Sequence, residues 1–291
     1  MKELIARMLA MPRTAVELAV ASVFINTLAL ASPLFVMQVL NRYVSQGVDS
    51  TLVTLVTGTL LAIGLELAFR QARSQLARSV SIKPDEFIAL GSYEILTKAR
   101  PSALNRIPAE TRSELVSGAA AIESAYSSTN IETILDVPFS LLFVAVLYFL
   151  SPLIALIVMA FLITVFVGGV LGGLSLRKKT EELQQGSREG SALMGTAIRE
   201  GDTVRAFNAG DFLRSAWKAH QGFIQRKRRD IAARQGTVQT LTQSATVIMS
   251  VAVVGTGATL VVLGELDVGA MIGANILGAR ALQPISKFSQ L

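Results

Sequence analysis

Few residues in this chain have the means for covalent or metal chemistry. Its 291 residues include no cysteine and one histidine, His220. Thiolate metal sites, thiol nucleophiles, disulfides and histidine clusters are therefore excluded. No glycine is followed by Lys-Ser or Lys-Thr, so these residues hold no phosphate-cradling loop. No cluster of Asp, Glu, His and Ser marks an enzyme's cavity either. What stands out instead are polar side chains inside apolar runs: Glu17, Asn26, Gln38, Glu66, Gln243, Asn275 and Arg280. Such groups are costly in hydrocarbon, so they either bond across helices or line a path for a polar solute. Interhelical hydrogen bonds, worth about 0.6 kcal/mol each, account for the uncharged ones as well as a path does. Asn26, Gln38, Asn275 and Arg280 are the candidates for a substrate pathway. Glu17 and Glu66 each lie four residues from an arginine, Arg13 and Arg70, and read as interface charges.

The elements that carry these residues follow from composition. The chain is 51% hydrophobic and only 16% charged, against about 25% charged in soluble domains, and its mean hydropathy is +0.51. A chain this apolar is neither disordered nor able to cover itself with polar surface. Backbone crossing a bilayer must satisfy its own hydrogen bonds, and a helix needs roughly 20 apolar residues to do so. Spans are expected at 14–40, 52–69, 131–151, 153–176, 241–263 and 268–285, an all-α membrane fold in three pairs. Long polar segments, 70–136 and 177–240, separate the pairs. Pro33 and Pro138 are expected to kink the first and third spans. Gly168/Gly172 and Gly269/Gly273 have the spacing of close helix packing.

Lys and Arg set the orientation, because cytoplasmic segments carry the excess. All but Arg42 of the 27 basic residues fall in the amino tail, the two long segments or the carboxy end. Both termini and both long segments are therefore expected in the cytoplasm. A cleaved signal peptide is the competing reading, with Ala29-Leu30-Ala31 as its cleavage site. Glu17 within the apolar region and the apolar continuation through Leu34-Phe35-Val36-Met37 argue against it.

Both long segments are rich in helix formers and lack strand alternation. In the first, Pro101 and Pro108 bracket a short piece between helical runs, the second running from Glu110 towards Pro138. In the second, Gly201-Asp202 and Asn208-Ala209-Gly210 interrupt helix on either side. Each reads as a hairpin of membrane helices continued into the cytoplasm with a turn at its tip. Arg226-Lys227-Arg228-Arg229 suits anionic headgroups and a surface-lying helix. With few aromatics and no recognition motif nearby, nucleic acid is not an expected partner.

The local sequence resembles one family, the permease/ATPases of type I secretion systems, which are ABC transporters. Ile25–Arg42 (INTLALASPLFVMQVLNR) is similar to their first span. Arg188–Gly210 (REGSALMGTAIREGDTVRAFNAG) is similar to their second cytoplasmic loop, and Gly269–Leu291 to their sixth span. The resemblance implies a cytoplasmic amino tail at 1–13 and a type-1 exporter transmembrane domain at 14–291, in the bacterial inner membrane. It also implies that the hairpin tips are coupling helices docked on an ATPase domain. The matching positions are Ser102, Leu104 and Arg106 in the first tip, and Asp202, Val204, Arg205 and Phe207 in the second. A homodimer, ATP and Mg on the nucleotide-binding domain, a periplasmic membrane-fusion adaptor and an outer-membrane channel are further implied, with a polypeptide cargo bearing a carboxy-terminal signal. The ATPase motifs that normally follow are absent from these residues. The motor is expected on a separate polypeptide or on a longer protein of which this is a piece. A lipid, drug or peptide exporter on the same scaffold, or a membrane anchor that lost its motor, are the alternatives.

Overall fold

The computed structural model describes residues 7, 8, 10–45, 47, 49–104, 112, 118 and 120–289. Every regular element among them is helical. In chain order these are α1 (Pro12–Leu28), α2 (Ala31–Gln38), a π-helical turn (Val39–Val44), α3 (Asp49–Lys98), α4 (Pro101–Leu104), α5 (Ser128–Asp136), α6 (Phe139–Leu150), α7 (Pro152–Arg199), α8 (Gly201–Ala206), α9 (Gly210–Val262) and α10 (Val268–Phe288).

Proline chemistry explains two of the breaks. Ala29 and Leu30 form a turn between α1 and α2, where the ring of Pro33 would crowd the Ala29 carbonyl and has no N–H to offer it. Val137-Pro138 separates α5 from α6 in the same way. Pro84 and Pro284 lie inside α3 and α10 without interrupting them. Ser151, in extended backbone at φ −158°, is the single joint between α6 and α7. Its Oγ accepts the Ile154 N–H at 3.5 Å, and Pro152 occupies the first helical position, where its missing N–H costs nothing. Gly264, at φ +75°, closes α9. The Glu265 and Gly264 amides bond back to Leu260 and Val261, a Schellman ending that needs the left-handed residue glycine supplies.

The chain divides into two compact units. One comprises Met1–Lys83, Tyr126–Val170 and Gln239–Leu291, the other Pro84–Ala125 and Leu171–Val238.

The first unit is organised around α10, which packs on α6 and α2. Ala274, Leu277, Ala281 and Leu282 join Leu147, Ile154, Val158, Met249 and Val253 in a closed apolar core. A smaller cluster of Leu18, Ala77, Val80 and Ile131 lies further along α1, α3 and α5. Among the described residues, five helices are long and apolar enough to cross a membrane: Pro12–Val44, Thr51–Lys98, Ala120–Leu150, Pro152–Arg199 and Gly210–Val262. The sixth expected span is present as α10 but is less apolar, since Asn275, Arg280 and Gln283 dilute it. Its helix neighbours take the place of lipid, and nine of its residues are buried. By contrast, the apolar window of the second span has no buried residue. Leu61 and Leu67 there are 65% and 66% exposed, as suits residues that face hydrocarbon.

Within the second unit, Leu171–Val238 form a two-helix arm. Residues from 171 on α7 run antiparallel to α9 up to Val238. Lys227 Nζ donates to Glu182 Oε2 at 2.5 Å, and Arg234 Nη1 to Ser175 Oγ at 2.6 Å. Glycines permit the approach: a Cβ at Gly186 would lie 2.9 Å from Ile224 Cδ1, and one at Gly190 would lie 2.6 Å from His220 Nε2. α8 caps the arm as the expected interruptions predict. It ends in a second Schellman turn, with Asn208 left-handed at φ +52° and the Ala209 amide returning to Val204.

In the first polar segment, α3 runs to Lys98 and α4 follows at Pro101. The expected return run from Glu110 is described from Ala120, and it breaks at Tyr126-Ser127. Ser127-Ser128-Thr129-Asn130 explains the break, because such side chains favour helix starts over interiors. Ser127 takes up extended geometry as the N-cap of α5. The freed Tyr126 carbonyl accepts the Ser81 hydroxyl at 2.9 Å.

Candidate functional site

Between the two apolar clusters of the first unit lies a layer of charge. Arg73, on α3, is 2% exposed. Its Nη1 donates to Asp136 Oδ1 at 2.5 Å and its Nη2 to Asp136 Oδ2 at 3.1 Å. Nη1 also reaches Ser22 Oγ at 3.2 Å, and Nη2 reaches Glu132 Oε2 at 3.5 Å. Asn26 Nδ2 donates to Asp136 Oδ1 at 3.3 Å and to the Ser22 carbonyl at 2.8 Å. The planar guanidinium matches a carboxylate with two parallel bonds, which is how a buried arginine is tolerated here. Its Nε alone stays without a hydrogen-bond partner. α1, α3 and α5 are thereby tied at one level, the level at which the apolar run of α3 gives way to Arg70.

Beside this layer is a cavity of about 50 Å³. Its polar lining includes Asn26, Thr133, Asp136, Arg70, Arg280 and Lys287. Arg70 is engaged by Glu66 at 2.7 Å, and Glu17 pairs with Arg13 at 3.3 Å, as their spacing predicts. Of the four pathway candidates, the structure brings Asn26 and Arg280 to this cavity. Asn275 is elsewhere, its Oδ1 accepting the Ser250 hydroxyl at 2.7 Å between α9 and α10. Gln38 is exposed. Sequence reasoning missed Arg73 and Asp136. The one available signal was Asp136, a lone acid between Leu135 and Val137 at the head of a span.

The glycine faces divide. A Cβ on Gly269 would collide with Asn41 and the Met37 carbonyl, and one on Gly273 with the Met37 side chain. A Cβ on Gly172 would lie only 3.0 Å from Val238 Cγ2, a tight contact. Gly168 faces open space, and the close approach falls on its neighbour Gly169, against Ser289.

At the tip of the arm Asp202 and Arg205 form an ion pair of 3.3 Å with both side chains largely in solvent, which adds little to stability. Val204 turns partly inward, whereas Phe207 is 79% exposed and Phe212 73%. Ser102 is exposed on α4, Leu104 closes that helix, and Arg106 lies outside the described residues. Further down the arm, the Lys227 ammonium, hydrogen-bonded to Glu182, holds that carboxyl below the usual carboxylate range, and Lys178 and Lys179 add to the effect. Among the described residues there is no group of three or more His, Cys, Asp and Glu able to hold a metal ion.

Comparison with known proteins gives this architecture a context. The chain is 23% identical over 284 residues to the alpha-hemolysin translocation ATP-binding protein HlyB of Escherichia coli O157:H7, covering 96% of this chain and 40% of that protein. It is 25% identical over 281 residues to the cyclolysin secretion/processing ATP-binding protein CyaB of Bordetella pertussis, covering 94% and 39%. The exotoxin translocation ATP-binding protein PaxB of Pasteurella aerogenes is 22% identical over 282 residues, with 95% and 39% covered. The chain thus spans about two-fifths of the length of these relatives. The family model described as ABC transporter transmembrane region matches residues 16–279. With its apolar helices, charged layer and two-helix arm, this multi-pass membrane protein belongs to the ABC transporter transmembrane region family.

Proposed function

We propose that the chain is the permease half of a homodimeric exporter in the bacterial inner membrane, with both termini in the cytoplasm. Its cargo is a polypeptide carrying a carboxy-terminal secretion signal, handed on to a periplasmic adaptor and an outer-membrane channel. Support for the cargo comes from the relatives, whose names specify translocation of alpha-hemolysin and exotoxin and secretion/processing of cyclolysin. ATP and Mg are held elsewhere, on a nucleotide-binding domain, since no residue run here forms a phosphate cradle.

The observation that carries this reading is α8. A six-residue helix joins α7 and α9, each about twice as long as a bilayer requires. A shift of a docked domain by a few ångströms at such a tip is passed along packed helices to the spans as hinge and shear motion. Phe207 and Phe212 present apolar surface to a groove on the ATPase domain, and Asp202 and Arg205 fix the register. Ser102 and Leu104 supply the second contact.

The test is reconstitution with the cognate ATPase domain. Phe207→Ala is expected to leave basal ATP hydrolysis intact and lower cargo-stimulated hydrolysis and transport by at least tenfold. Unchanged coupling in Phe207→Ala and in Asp202→Arg would refute docking at this tip. Export of lipids, drugs or peptides on the same scaffold predicts stimulation of hydrolysis by small amphiphiles, without an adaptor that copurifies.

A further inference from the structure

The cavity beside the charged layer has the composition of an anion site. Its one carboxylate, Asp136, already takes two bonds from Arg73, a cation it shares with Glu132, and one from the neutral Asn26 amide. Arg70 is held by Glu66. Arg280 and Lys287, seven residues apart on α10, line the same cavity with no ion-pair partner among the described residues. Two cations without an ion-pair partner among the described residues thus line a polar void with Asn26, Thr133 and Asp136, which leaves it net basic. At about 10–15 Å³ per water, its roughly 50 Å³ admits one tetrahedral oxyanion and little else.

The position of the void narrows the chemistry further. Along α3 the apolar run ends at Phe69 and Arg70 follows, and on α10 Leu282 and Ile285 are buried in the apolar core while Lys287 is exposed. The mouth therefore lies where hydrocarbon gives way to headgroups. A phosphodiester there gains two cations without leaving its own leaflet, and its acyl chains stay beside the exposed apolar face of α3.

We propose that this cavity binds a phosphate group, and that the source is the headgroup of an anionic phospholipid in the leaflet adjoining Arg70, Arg280 and Lys287. The site does not depend on the export reading: it would be occupied in a transporter of any cargo, and its loss would leave the arm and its tip unaltered. Bound lipid would link α10 to the Arg73–Asp136 layer through Arg280 and stabilise the packed first unit.

The test uses the full chain in nanodiscs of phosphatidylcholine containing a fifth phosphatidylglycerol, with retained lipid counted by native mass spectrometry. Near a membrane each basic residue contributes about a fivefold preference for anionic lipid. Arg280→Gln with Lys287→Gln is therefore expected to weaken retention of phosphatidylglycerol by about 25-fold. The charge-keeping pair Arg280→Lys with Lys287→Arg should retain it, which separates loss of charge from loss of fold. Arg226→Gln with Arg229→Gln, on the arm, should leave retention unchanged. If inorganic phosphate at millimolar concentration displaces the lipid, the phosphate chemistry stands and the acyl chains add little. If it does not, the lipid is the source. Equal retention in the native chain and the Arg280→Gln, Lys287→Gln variant would overturn the proposal.

Discussion

At the scale of single residues, the buried Arg73–Asp136 pair is where a small change has the largest effect. Arg73 is 2% exposed and Asp136 20%, so removing one partner strands the other's charge, and Asp136→Asn or Arg73→Met is expected to cost about 3 kcal/mol. The two changes together should cost less than their sum, because the second removes the stranded charge. Denaturation of the purified chain in detergent measures this, and strictly additive losses would show that the pair is not coupled. Asn26 was conspicuous in the sequence as a polar group in an apolar run. Its partner was not legible, because Asp136 lies 110 positions away and only the folded topology brings the two together. Glu66–Arg70 and Glu17–Arg13 were legible, since a spacing of four places both ends on one helix face. Asn275 shows the limit of that reasoning, as its hydrogen bond to Ser250 serves helix packing as well as any pathway would.

At the scale of elements, glycine placement makes predictions that differ between neighbouring positions. Gly273→Val drives a side chain into Met37 and is expected to destabilise the first unit by about 1–3 kcal/mol through overpacking. Gly168→Val meets open space within the chain and should be tolerated, as a comparison of thermal unfolding in detergent would reveal. The arm carries a pH dependence of known sign. Glu182 has its folded pKa lowered by Lys227, so the pairing contributes fully above the unfolded carboxylate value and fades as pH falls through the folded one. Spin labels at Thr180 and Arg229 should report a broader distance distribution in acid than at neutral pH, and Glu182→Gln should show the broad one throughout. The effect will be modest, because the pair faces solvent and salt screens it. Helix order, both proline breaks and the tip at Gly201–Ala206 could be read from local chemistry. The break at Tyr126-Ser127 has a local cause in Ser127-Ser128-Thr129-Asn130, but the partner of the Tyr126 carbonyl was not legible, because that hydroxyl comes from Ser81 on another helix.

At the scale of the whole molecule, hydropathy gave six expected spans, and five helices among the described residues are long and apolar enough to cross a membrane. α10 was harder to read by that criterion, since a helix enclosed by protein need not be apolar. Its apolar run at 268–285 was nevertheless legible, and Gly269 and Gly273 let the helix approach Met37 on α2. What the molecule does with these helices depends on which side of the membrane the arm's tip occupies, and that is open to a direct measurement. The chain has no cysteine, so a single engineered one is labelled against a silent background. Ser102→Cys and Ala206→Cys, placed at the tips of the first hairpin and the arm, should resist a membrane-impermeant maleimide in intact cells. Both should react in inside-out vesicles, and adding the ATPase domain should protect both. Labelling of either position from outside intact cells would put the tip beyond reach of any cytoplasmic motor and contradict the account.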